Sequence, residues 1–126
     1  YVVDGDIDVM SEVIKQIGKM GLENIVQGHG DIVLRGEIET SVKENLAYLA
    51  CIRKAVKSAS KKKNPEDALS LVDIESCGKS RVYLGGLGED LHRRNLKSLY
   101  IKSLREGISE STVEETEEKI SSDDII

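Results

Sequence analysis

The sequence predicts an α/β fragment that is mostly helical, with about four helices and one or two short strands. Three observations predict it. Apolar residues recur at helical spacing in three separate stretches. A fourth, short helix is announced by Asn64-Pro65-Glu66-Asp67: an N-cap residue, Pro at the first helical position, acids in the first turn. Only "NIVQ" and "DIVL" read as strands, and both are short.

Taken in order, Ile7, Met10, Val13, Ile14, Ile17 and Met20 form one helical stripe. Asp6 caps its start, and Gly21 with Leu22 behind it reads as a Schellman-type stop. Asp4, Asp6 and Asp8 alternate as in a calcium loop but lack its fixed glycine and closing Glu, so they read as a helix-capping cluster. "NIVQ" then reads as a buried strand. Such a strand wants neighbours on both sides. None are evident in this sequence, so its sheet is expected in upstream residues or in another copy of the chain. The second helix runs from Glu37 to Ser60, with Ile38, Val42, Leu46, Leu49, Ile52 and Val56 as its stripe. The Lys61-Lys62-Lys63 run at its end suits the helix dipole. The third helix ends near Val72. "LGGLG" reads as a hinge before a fourth helix from Glu89 to Arg105, whose apolar face carries Leu96, Leu99, Tyr100 and Leu104. Arg93 and Arg94 read as solvent or salt-bridge residues. His92, beside that face, reads as a packed structural histidine rather than a ligand.

Charge divides the chain. Residues 1–106 hold 17 Lys/Arg and 16 Asp/Glu, net +1, while residues 107–126 hold seven acids and one Lys, net −6. The tail is expected to be disordered or loosely helical, and solubilising. A balanced body gives no electrostatic case for nucleic acid. No run is long enough to span a bilayer, so no membrane partner is expected. Cys51 and Cys77 show no CxxC spacing and read as small buried hydrophobes in a reducing cytosol. The sequence opens in mid-pattern with "YVVDGD", which suggests that upstream residues are missing.

One loop carries chemistry. In "NIVQGHGDIV", His29 stands between Gly28 and Gly30, on bare backbone after an apolar run. Imidazole is the commonest metal ligand among side chains near neutral pH. Asp31 follows closely enough to orient an imidazole N–H, and equally suits a turn.

The stretch "DGDIDVMSEVIKQIGKMGLENIVQGHGDIV", followed by a long helix, resembles the C-terminal part of a metallo-β-lactamase-superfamily hydrolase. "HRRNLKSLY", His92 to Tyr100, is similar to the terminal helix that some members carry. The resemblance implies an αββα fold of which this chain holds the C-terminal portion. It makes residues 1–60 the end of the hydrolase core, 61–106 a helical extension and 107–126 the acidic tail. It implies that His29 is the last ligand of a dinuclear zinc site, with Gly28 and Gly30 as its loop and Asp31 as a supporting candidate. The reaction would be hydrolysis of an ester, thioester, amide or phosphodiester. Gln27 stands where many members have Pro. The signature His-x-His-x-Asp-His is absent, as are the later single His and the bridging Asp. The chain alone is therefore expected to be inactive, with no catalytic residue of its own. Its expected partners are the missing N-terminal part of the fold and a second copy in a homodimer. The alternative is a non-catalytic helical interaction or oligomerisation module in which the loop is only a turn. A third reading keeps the fold but binds iron in an oxygenase, since imidazole suits iron as well as zinc.

Overall fold

The computed structural model describes the chain except His29, Ile125 and Ile126, and without the side chains of Tyr83 and residues 107–124. The order is α1 (Ile7–Lys19), β1 (Asn24–Ile25), β2 (Val33–Leu34), a 3-10 turn Arg35–Glu37, α2 (Ile38–Ala59), α3 (Pro65–Ser70), 3-10 turns at Glu75–Cys77 and Tyr83–Gly86, and α4 (Leu87–Asp124). The chain is mostly helical with two short strands, as the sequence predicts, and those strands pair as one small antiparallel ribbon. α4 starts two residues before the expected helix. It runs on through most of the segment expected to be disordered or loosely helical.

α1 begins where Asp6 Oδ1 accepts the backbone N–H groups of Asp8 and Val9, at 2.8 and 3.0 Å. It ends at Gly21, whose φ of +66° is open to glycine at no steric cost. α2 is the central helix. α1, α3, α4, the Glu75–Cys77 turn and β2 all pack on it. Its Tyr48, Leu49, Ile52, Val56 and Ala59 join Leu69, Ile74, Cys77 and Leu96 in one core. Gly18 lets α1 approach α2 closely, since a Cβ there would sit 3.3 Å from Val42 Cγ1.

Three sequence expectations need correction. The "NIVQ" strand does have a neighbour within the chain: Asn24 pairs with Leu34, and Ile25 with Val33. Val13 and Met20, read as part of the buried stripe, are 48% and 64% exposed. At about 100° per residue, Val9, Val13 and Met20 share a face roughly a quarter turn from that of Ile7, Met10, Ile14 and Ile17. α1 is therefore apolar on two adjoining faces, and α2 covers only one. Finally, Cys51 and Cys77 are not free hydrophobes. They form a disulfide, with Cα atoms 5.5 Å apart, tying α2 to the Glu75–Cys77 turn. Disulfides persist mainly in oxidising compartments. The cytosolic expectation thus loses the ground it stood on. No helix among the described residues is long and apolar enough to cross a membrane.

Candidate metal-ligand loop and the buried histidine

The Gly-His-Gly loop joins β1 to β2 across residues 26–32. His29, the expected ligand, lies outside the described residues. Its neighbours do not. Gly30 has φ +116°, a backbone conformation that an L side chain rarely adopts. Gly28 has open space where a Cβ would go. Gln27 Nε2 donates to the Asp31 carbonyl at 2.7 Å and closes the loop from inside. A Pro at 27 would stiffen the loop through its ring; Gln27 does so through this bond. Asp31 is exposed, and its carboxylate has no partner among the described residues. Among the described residues, its acceptor oxygens are thus uncommitted beside the loop.

Hydrophobic side chains surround this loop without being covered. Val26, Ile32 and Leu34 are each more than half exposed, while Val33 turns inward. A two-stranded ribbon has too few backbone bonds and too little buried surface to be stable alone. Here β2 leans on α2.

His92, the second histidine, is 0% exposed. Its Nε2–H donates to the Val72 carbonyl at 2.9 Å, a contact whose direction is fixed because a carbonyl only accepts. Its Nδ1 then accepts from the Tyr48 hydroxyl, also at 2.9 Å. Asn95 Nδ2 donates to the same hydroxyl at 3.0 Å, and Asn95 Oδ1 accepts the Val2 N–H at 2.8 Å. One directed chain of bonds thus ties the N-terminal segment, α2, the turn at Val72 and α4. Burial raises the Tyr48 phenol above its ordinary range; the Asn95 bond opposes this and the Glu89 charge adds to it. Both His92 nitrogens are engaged, so this imidazole has no lone pair for a metal. The expectation of a structural histidine holds.

Arg93 does more than meet solvent. It pairs with Glu89 at 3.0 Å and donates to the Leu69 and Ser70 carbonyls at the end of α3. Arg94 pairs with Asp90 at 3.1 Å. At the segment read as a hinge, the backbone is left-handed at Leu84, Gly85 and Gly86. Among the described residues, no three His, Cys, Asp or Glu side chains are grouped to hold a metal ion. A zinc site takes about four ligands. The described residues assemble no such set.

Sequence reasoning missed the disulfide and the Tyr48–His92–Asn95 network. The signal for the network was present. Polar His92 and Asn95 are three apart on the stripe that carries Leu96, and Tyr48 borders the stripe of α2, four residues before Ile52. Compared with known proteins, the chain matches no family model, no curated protein and no solved structure.

Proposed function

We propose that this chain is the C-terminal segment of a zinc-dependent hydrolase of the metallo-β-lactamase superfamily, and that His29 supplies one of its metal ligands. The observation that carries the reading is the uncovered apolar face of α1. A helix apolar on two adjoining faces sits between two layers. α2 is one layer, and a sheet completing the αββα sandwich is the natural second. The exposed apolar residues of the β1–β2 ribbon ask for the same neighbour, at the edge where the Gly-His-Gly loop turns.

Bound zinc would supply Lewis acidity and an activated water. The residues of this chain hold His29 on a glycine loop closed by Gln27, and keep His92 out of the chemistry by satisfying both its nitrogens. No catalytic step runs on these residues alone. The isolated chain is inactive in this reading, and its setting need not be cytoplasmic once its cysteines are bonded.

The test is metal content in the longer polypeptide. The coding sequence directly upstream of Tyr1 should contain His-x-His-x-Asp-His. The full-length protein should then bind two zinc ions, and His29→Ala should lose at least one. An upstream sequence without that signature, or unchanged metal content in His29→Ala, would refute the proposal and favour the helical interaction module.

A further inference from the structure

A groove of about 620 Å³ runs between the end of α1 and the start of α2. Its floor is apolar: Gly18, Leu22, Ile38 and Val42. Its rim is basic. Lys43 is neutralised by Glu39 at 3.0 Å. Lys15, Lys19 and Arg35 have no carboxylate within ion-pair distance among the described residues. Three cations on one groove, unopposed among the described residues, stand out against a body whose total charge is +1. They also lie across the α2 contact from the bare face of α1, at about 100° per residue. The groove is therefore separate from the surface that a sheet would cover.

The same sequence holds a complementary segment. Residues 107–126 carry net −6, with four of the acids at Glu114, Glu115, Glu117 and Glu118. The backbone of α4 continues through them to Asp124. That segment leaves from the wrong end to reach its own groove. Leu99, Leu104 and Glu106 line a cleft with Asp8, Arg53 and Lys57, at the start of α1 and the end of α2. The groove lies at the opposite end, about 21 Å away along α2 from Val56 back to Val42. α4 passes that far end at Glu106, and its backbone continues as helix to Asp124.

We propose that the basic groove receives the acidic end of α4 from a second copy of this chain, each copy serving the other in a closed dimer. Opposite charges steer the encounter, and the apolar floor gives the helix a seat. Reciprocal exchange closes the assembly at two. The proposal rests on nothing in the hydrolase reading and stands or falls separately.

Sedimentation velocity on the full 126-residue chain tests it. The expected result is a dimer at about 20 mM salt that dissociates at about 500 mM, where screening is strong. The triple variant Lys15→Glu/Lys19→Glu/Arg35→Glu should be monomeric at low salt, with unchanged circular dichroism. So should the variant with Glu114, Glu115, Glu117 and Glu118 replaced by Gln. Mixing the two variants should restore association, because one keeps the groove and the other the tail. A wild-type monomer at low salt overturns the proposal. So does a dimer that neither variant weakens, or a salt-dependent change in shape with no change in mass.

Discussion

The hydroxyl of Tyr48 and Nδ1 of His92 meet at 2.9 Å inside the core, although 44 residues separate them in sequence. Asn95 also donates to that hydroxyl. Tyr48→Phe keeps the ring and removes the oxygen, leaving two buried polar groups unpaired. Each costs about 1–3 kcal/mol. The expected loss is about 2–6 kcal/mol, read from urea unfolding. Alkaline titration supplies a second readout. Burial raises the phenol in the folded state. Its contribution to stability is therefore complete below the unfolded value near 10 and is lost as pH rises through the folded one. In absorbance at 295 nm the latest tyrosine ionisation should vanish in Tyr48→Phe.

The disulfide between Cys51 and Cys77 spans 26 residues. Chain-entropy reasoning assigns such a ring about 3.5 kcal/mol. The double variant Cys51→Ser/Cys77→Ser should lower the unfolding free energy by roughly that amount. The oxidised chain should show no titratable thiol, and the reduced one should show two. Two free thiols in protein purified without reductant would contradict the pairing.

Asp73 holds the turn that follows α3. It accepts the Ser76 backbone N–H at 2.9 Å, the Ser76 hydroxyl at 2.8 Å and an Arg81 N–H at 2.9 Å. These bonds, led by the Ser76 N–H, lower its pKa from 3.8 to about 2. A depressed carboxylate stabilises the fold above its unfolded pKa, and the contribution disappears as pH falls through the folded one. The loss should therefore fall between about pH 4 and pH 2. Asp73→Asn should flatten the stability–pH curve in that window while leaving its slope near neutrality unchanged.

Elements with a single dominant period were legible in the sequence. The stripe Ile38 to Val56 set α2 to within a residue at each end, and Asn64-Pro65 set the start of α3. Asp6 and Gly21 marked the ends of α1 because caps are local chemistry. Where reading failed, the cause was tertiary. Val13 and Met20 have core spacing, but periodicity says that a face is apolar and not what covers it. Cys51 and Cys77 become partners only once the turn after α3 folds back on α2, and spacing along the chain carries no trace of that. The partner of "NIVQ" was the short "DIVL" run across the glycine loop, too brief for its pairing to be read from pattern. Of the site, the loop glycines and the structural role of His92 were readable from residue type and position. The bonds that hold His92 depend on three elements meeting.

The uncovered face of α1 supplies the last prediction. Val13 is 48% exposed and lies between Val9 and Met20 on that face. In the isolated chain, Val13→Lys removes little buried apolar area. The expected change in stability is below about 0.5 kcal/mol, typical of a surface site. In the longer protein, a sheet over α1 would bury the same side chain. There the substitution forfeits about 1.5–3 kcal/mol of burial and places an ammonium in an apolar layer. The pair of measurements separates the readings. A hydrolase fragment predicts a small effect in the short chain and a large one in the long chain. A free-standing helical module predicts a small effect in both, and that outcome would leave the bare face of α1 as ordinary surface.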